Sequence, residues 1–500
     1  MRRGVAGLVL AGVLGCQPQP PEGALICTLM ADGTEEGCPS AFTCVAPRGD
    51  TVGRCYRFPE RVDAGTALDA GPPPVFDAGA GDGGAEGDGG PDAGAGDAGI
   101  DAGVAAPGIP VDFALGPSHS CALYADGRAF CWGDNVEGQL GRGTQTVTPS
   151  TSAAPVIGMP DGALQIEAGT RGNCLRTAEA IHCWGDRVSF FTPGILGVAD
   201  LANVTQPTEV TLIGEEPPVG LAVGGDHACA IVGPTRSLQC WGFNGNGQLG
   251  INSLADQDTP QIVAGISGVE ELCAGADHTC ARLDDGTVSC WGATSEGLLG
   301  IGETMEERVL VPTPVPGLTE VTRLFCGLRH NCALVDDGGT TQLRCWGGNE
   351  DGEAGNESGL FLEPVRSPRT VSLGPSTPEE SLAEIEEMAL GGRNVLIFGF
   401  RGFSLMWGAE LALHAMGADD VGQLGRGVGS GTPPEEPALV SSLPRAILFA
   451  DAGDAHACAA VEDGGETSVV CWGWNSRGQL GNTTQTDSRV PVAVVGLPLR

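Results

Sequence analysis

The sequence predicts an all-β fold assembled from seven repeated units, and three observations carry the prediction. The 500 residues include 81 glycines and 35 prolines beside a hydrophobic fraction of 41%, a balance that favours many short strands over helices. From Val111 onward one phrase recurs with a period of about fifty residues, which marks a repeat architecture. Each copy holds two short alternating runs around a turn, the pattern of a β-hairpin.

Before the repeats the chain changes character three times. Residues 1–15 read as a signal peptide: Arg2 and Arg3 form a positive start, and Val5 to Leu14 is apolar but too short to span a membrane as a mature helix. Val13-Leu14-Gly15-Cys16 resembles the bacterial lipobox, which implies cleavage before Cys16 and lipidation of its thiol; an ordinary signal peptide leaving Cys16 free is the plainer alternative. Gln17 is not the aspartate associated with inner-membrane retention and so favours the outer membrane. Within 16–60, Cys27, Cys38, Cys44 and Cys55 fall in a stretch too small to stabilise itself by burial, so two disulfides are expected, with three pairings open. Zinc is the rival reading, but the tight Cys-x-x-Cys knuckle is missing. From 61 to 110 the triplet Asp-Ala-Gly recurs at Asp63, Asp69, Asp77, Asp92, Asp97 and Asp101. Such a tract buries almost nothing and repels itself, so it reads as a disordered linker with an r.m.s. span near ~40 Å. The spacing of a calcium loop is absent there.

The clearest repeat runs His278-Thr279-Cys280-Ala281-Arg282-Leu283-Asp284-Asp285-Gly286-Thr287-Val288-Ser289-Cys290-Trp291-Gly292 and closes with Gly297-Leu298-Leu299-Gly300. A three-residue loop ending at Gly286 needs positive φ there, and its register sets Leu283 opposite Thr287. Counting outward puts Cys280 across from Cys290, at a separation a disulfide bridges. The other copies pair Cys121 with Cys131, Cys174 with Cys183, Cys229 with Cys240, Cys332 with Cys345 and Cys458 with Cys471 in the same way. A sixth copy is read at Arg393-Asn394-Val395 and Met406-Trp407-Gly408, followed after an insertion by Gly422-Gln423-Leu424-Gly425. There both cysteines are replaced by apolar residues together, as a bonded pair would be. Cys273 and Cys326 are left over at nearly equivalent places in neighbouring repeats; their offsets from the next glycine differ by one residue, which in a strand reverses the face, so a bridge between them stays open.

A formal charge of -37, with only 26 Lys and Arg, argues against nucleic acid as a partner. Nineteen cysteines suit an oxidising compartment. Five histidines recur at one repeat position, His119, His227, His278, His330 and His456. Spread around a ring they do not converge on one ion, so they read as scaffold bonding neighbouring backbone rather than as metal ligands, and the repeat tryptophans read as core anchors. No nucleophile elbow, phosphate loop or zinc helix is present; no catalytic residue, metal or cofactor is assigned.

The sequence His-x-Cys-Ala, an Asp-Gly hairpin, Trp-Gly-x-Asn-x-x-Gly-Gln-Leu-Gly and a trailing Pro-x-x-Val-x-Gly-Leu resembles the RCC1 (regulator of chromosome condensation) repeat over 111–500. The resemblance implies a seven-bladed β-propeller, each blade a small antiparallel sheet, which is also what repeated hairpins unable to bury themselves alone would build. Its cysteine pairs depart from the intracellular members and suit an exported version. The nucleotide-exchange role of the family is not carried over. The segment Pro491-Val492-Ala493-Val494-Val495-Gly496-Leu497 matches what precedes every internal repeat but not the first, so it is expected to join the first repeat and close the ring.

Function is expected where the repeat is broken: in insertions at 187–218, 350–380 and 409–421, and at Phe243 and Trp474, large aromatics at a loop position that elsewhere is small or acidic. Exposed aromatics on a rigid scaffold anchor protein recognition; Phe190 and Phe191 are weaker candidates of the same sort. The whole reads as a lipid-anchored envelope protein displaying the propeller on an acidic stalk and binding an unidentified protein partner. Inhibition of a secreted enzyme, by resemblance to secreted bacterial RCC1-like propellers that block β-lactamases, and carbohydrate binding are the alternatives.

Overall fold

In a computed structural model of the chain the described residues are 108–498, apart from 186–187, 190–191, 199–203, 356–362, 372–381, 402–410, 428–437, 441–442 and 444–445, together with the backbone of four short strands between 25 and 56. Those strands, Leu25–Leu29, Glu35–Glu36, Thr43–Val45 and Val52–Tyr56, form one antiparallel sheet whose register places Cys44 opposite Cys55. Cys16, Cys38 and the linker to residue 107 lie outside the described residues, as do the side chains of Cys27, Cys44 and Cys55.

The repeat hairpin forms as its sequence dictates. In the fourth copy His278–Leu283 pairs with Val288–Ala293, Cys280 faces Cys290, and Gly286 takes φ +75° to close the loop with its N–H on the Leu283 carbonyl at 3.0 Å. A third strand, Val269–Ala274, joins on one side and a fourth, Arg308–Pro314, on the other. Seven such four-stranded sheets follow one another at 110–155, 165–210, 218–262, 269–314, 321–370, 382–439 and 446–493, here called blades 1 to 7. Their first strands pack against one another in sequence, blade 7 against blade 1 included, so they line the centre of a closed seven-bladed β-propeller.

The outer strand of each blade is the edge of its sheet, with no further strand among the described residues paired to it, and an edge of that kind could recruit another sheet. Pro207, Pro260, Pro312, Pro368 and Pro491 sit at matching places in these strands. A proline there removes a donor and discourages edge-to-edge pairing.

Two expectations are corrected by the strand pairing. Asn394 faces Gly417, Val395 faces Met416 and Leu396 faces Ala415. By comparison with His278 facing Gly292 and Cys280 facing Cys290, the sixth copy has Asn394 at the histidine position, Leu396 and Ala415 at the cysteine positions, and Met416 in place of tryptophan. Met406, Trp407 and Gly408 fall outside the described residues. The glycine after the aromatic is what persists: a Cβ on Gly417 would lie 2.3 Å from the Arg393 carbonyl oxygen, as one on Gly292 would lie 2.4 Å from that of Asp277. The supposed insertion 409–421 contains the third strand of blade 6, Leu411–Gly417.

The second correction concerns closure. Ser488–Ala493 is the outer strand of blade 7 itself, and blade 1 has its own at Thr146–Pro155. The trailing segment ends each blade rather than preceding the next, so none is missing from the first. The residues on either side of the strand reach across: the Ala153 N–H donates to the Val495 carbonyl at 2.8 Å and the Thr483 N–H to the Thr151 carbonyl at 2.7 Å.

Candidate functional site

The blades are held together by a repeated junction. Trp132, Trp184, Trp241, Trp291, Trp346 and Trp472 are fully buried, and each removes apolar surface worth roughly 4–6 kcal/mol from water. Each indole N–H donates to a loop carbonyl of the preceding blade: Gln479, Gln139, Ile195, Gln248, Leu298 and Gln423, at 2.7 to 3.1 Å. These carbonyls belong to the Gly-Gln-Leu-Gly loops or their variants.

The histidines supply a second latch. His119 Nε2 meets Asn173 Oδ1 at 3.0 Å, His227 meets Thr279 Oγ1 at 2.8 Å, His278 meets Asn331 Oδ1 at 2.7 Å and His456 meets Ser120 Oγ at 2.8 Å, each partner lying on the next blade. Asn173, Thr279, Asn331 and Ser120 in turn donate to the carbonyls of Gln139, Gln248, Leu298 and Gln479, which also take the indole N–H. Because those hydroxyls give their own proton away and the amide oxygens can only accept, the imidazole proton sits on Nε2. Burial holds the rings neutral, lowering His119 to about 4 and His227, His330 and His456 to about 3. The histidines are scaffold, as expected, but their partners are side chains of the next blade rather than backbone.

The junction between blades 5 and 6 lacks both latches. Val395 occupies the position that supplies the histidine's partner in other blades, and neither ring nitrogen of His330 has a hydrogen-bond partner; Met416 has no donor to offer. The loop glutamine is replaced by buried Glu353. Between blades 4 and 5 the bracing is heaviest. Glu271 meets Arg282 at 3.1 Å, Arg323 of the next blade at 3.2 Å and the Leu324 N–H at 2.8 Å, and Cys273 is bonded to Cys326. Their one-residue offset is the requirement for that bridge, since successive blades present opposite faces to each other. The six hairpin disulfides are all formed, Cys121–Cys131, Cys174–Cys183, Cys229–Cys240, Cys280–Cys290, Cys332–Cys345 and Cys458–Cys471.

At the centre is a channel of about 350 Å³ lined by the first strands. Around one mouth lie the turns after those strands, bonded blade to blade by backbone, as in Thr170 N–H to Gly225 carbonyl at 2.8 Å and Ala276 N–H to Leu328 carbonyl at 3.0 Å. Phe243 and Trp474 stand on the face around this mouth, their N–H groups held by the Asp226 and Ala455 carbonyls at 2.9 Å. Both are partly exposed. The Phe243 ring covers Gly245, where a Cβ would meet it at 2.4 Å. They belong to blades 3 and 7, three blade steps apart around the ring, so they flank the mouth from nearly opposite sides instead of forming one patch. The long loop of blade 2 opens on the same face and includes the small hairpin Val188–Ser189 and Thr192–Pro193; Phe190 and Phe191 lie outside the described residues. The opposite face carries the Asp-Gly hairpins. Among the described residues one group has metal-like spacing, His278, Cys280 and Cys326 within 4.8 Å of one another, but both sulfurs are in disulfides. No helix among the described residues is long and apolar enough to cross a membrane.

The repeated hairpins, the ring and the shared junction define a class: the chain carries RCC1 repeats and folds as an RCC1-type propeller. Two models of the regulator of chromosome condensation (RCC1) repeat match it, one at 111–139, 269–297, 321–353 and 450–479, the other at 126–174, 238–282, 285–334 and 468–500. The chain is 27% identical to the ultraviolet-B receptor UVR8 of Arabidopsis thaliana over 350 residues, 69% of this chain and 72% of that one. It is 29% identical to the probable E3 ubiquitin-protein ligase HERC6 of Homo sapiens over 280 residues, which spans 25% of that protein. Among solved structures, Prp20p of Saccharomyces cerevisiae, described with its binding to Gsp1p and histones, superposes with a TM-score of 0.62 over 78% of this chain and 87% of its own at 21% identity. Human WBSCR16 superposes at 0.58 over 73% and 94%, at 19% identity.

Proposed function

We propose that this chain is an exported, lipid-anchored propeller that binds a protein partner across the channel mouth bearing Phe243 and Trp474. The observation that carries the reading is their placement: two partly exposed aromatics at one repeat position, each rooted by its backbone on a rigid loop. Aromatics held with little freedom lose little entropy on binding. Because they flank the mouth, the partner spans it. The binding of Gsp1p and histones by Prp20p supports a protein as the ligand class, while the charge of -37 favours a basic partner surface. Seven disulfides among the described residues support export, and Val13-Leu14-Gly15-Cys16 supports the anchor.

The test pairs two measurements. Cross-linked partners are recovered from cell-envelope extracts with the full chain and with F243A/W474A; the double variant is expected to keep its melting temperature and lose the partner, and an unchanged captured set would refute the docking face. Cys16→Ser is expected to abolish fatty-acid labelling, and retained labelling would refute the anchor. If the captured partner is a secreted enzyme whose activity falls on binding, the inhibitory form of this reading is the correct one.

A further inference from the structure

The twelve hairpin cysteines and the two that join blades 4 and 5 differ in one physical respect. The former are at most 1% exposed, whereas Cys273 and Cys326 are only partly buried and form part of the channel wall. Thiol–disulfide exchange requires a thiolate to reach a sulfur, so access decides which bond reacts. Cys273 also lies directly opposite Cys280 on the neighbouring strand, and Cys280 Sγ, Cys326 Sγ and a ring nitrogen of His278 stand within 4.8 Å of one another. His278 Nε2 is taken by Asn331, while its Nδ1 is buried without a hydrogen-bond partner.

We propose that Cys273–Cys326 is a thiol-exchange site that takes a small dithiol from the channel and shares its disulfide with the buried Cys280–Cys290 pair behind it. One thiolate of the dithiol attacks Cys326 Sγ, the Cys273–Cys326 bond breaks, and the electron pair leaves on Cys273. The second thiol closes the reductant into its own disulfide and releases Cys326 as a thiolate, completing a two-electron reduction in which the protein gains two protons. The Cys326 thiolate then attacks Cys280 Sγ; the Cys280–Cys326 bond forms, the Cys280–Cys290 bond breaks, and the electron pair passes to Cys290 with no further change in oxidation state. Reduction breaks the Cys273–Cys326 tie at the channel wall, the exchange replaces it with a Cys280–Cys326 tie between the same two blades, and the other five hairpin staples stay shut.

The test is differential alkylation of the full, folded chain. It is pulsed with rising dithiothreitol, quenched in acid, alkylated and mapped by peptide mass. Cys273 and Cys326 are expected to label at a dithiothreitol concentration at least tenfold below that needed for Cys121, Cys174, Cys229, Cys332 or Cys458, with a Cys280–Cys326 linked peptide appearing in the same range. Simultaneous labelling of all pairs, or labelling of the channel pair last, overturns the proposal. The variant Cys273→Ser checks the second step without any reductant: part of the protein is expected to carry a Cys280–Cys326 bond and an alkylatable Cys290, and a Cys326 that remains a free thiol beside an intact Cys280–Cys290 overturns the sharing.

Discussion

Replacing Glu353 by glutamine should stabilise the propeller at pH 8 and leave it nearly unchanged at pH 4.5. Glu353 stands where other blades carry Gln139, Gln248, Gln423 and Gln479, and it is 2% exposed. Its Oε2 accepts the Asp351 N–H at 2.8 Å, just as Gln479 Oε1 accepts that of Arg477 at 2.9 Å. The difference is at the other terminal atom. Gln423 Nε2 donates to Asp420 at 2.7 Å, whereas an ionised carboxylate has no proton to give. Burial, followed by the Asp351 and Glu350 charges, raises the Glu353 carboxyl from 4.5 to about 7, against the hydrogen bonds that it accepts. A folded-state value above the unfolded one means that the group's contribution is intact below about pH 4.5 and is lost as pH rises through about 7. That gap corresponds to about 3 kcal/mol, which in a fold of this size is on the order of 3–6 °C in melting temperature. Thermal scans of the oxidised protein should therefore show E353Q melting higher by that amount at pH 8 and by less than about 1 °C at pH 4.5. An equal difference at both pH values, or a lower melting temperature for E353Q at pH 8, would refute the argument.

Other perturbations address the junctions and staples. Asn173→Ala removes the acceptor of His119 and one donor to the Gln139 carbonyl in a fully buried site; denaturation should show a loss of about 2–3 kcal/mol, and a loss below ~0.5 kcal/mol would deny the latch its role. L396C/A415C should restore the staple that blade 6 lacks, since the two residues face each other across the hairpin. Thiol titration should find no new free cysteine, and closure should contribute up to about 3 kcal/mol before the lost leucine volume is subtracted; two persistent thiols would show the register to be wrong. Deleting 491–500 removes half of the outer strand of blade 7 and its contact with Ala153. It should lower the melting temperature, and an unchanged value would show that this edge adds nothing to ring closure.

Much of this architecture is legible in the sequence because the repeat is local. The Asp-Asp-Gly turn fixes the register of its hairpin, and register alone places Cys280 against Cys290. In blade 6 the sequence misleads, because Trp407-Gly408 mimics the motif ahead of the true third strand at Leu411–Gly417. A constant spacing pointed to the right answer: Trp132 to Gly138, Trp241 to Gly247 and Trp472 to Gly478 are each six residues apart, as are Met416 and Gly422. The histidine partners were hidden for a different reason. They lie about fifty residues away on the next blade, so only stacking geometry brings them together. The same geometry turns the offset of Cys273 and Cys326 from an objection into a condition of their bond. Phe243 and Trp474 were recognisable as departures from the pattern, but their positions on opposite sides of the mouth follow only from counting blades around a ring.

The distribution of latches has a mechanical meaning. Between blades 7 and 1 no peptide link continues the ring, and there the set is complete: His456 to Ser120, Ser120 to the Gln479 carbonyl, and Trp132 to the same carbonyl. Between blades 5 and 6 the backbone runs on without a break, and both latches are gone. A covalent tether keeps neighbouring blades at high effective concentration whether or not they grip each other. The one seam without a tether has no such insurance, so the contacts across it must hold the circle shut by themselves, and substitutions tolerated at blade 6 should be the least tolerated where the two ends of the propeller meet.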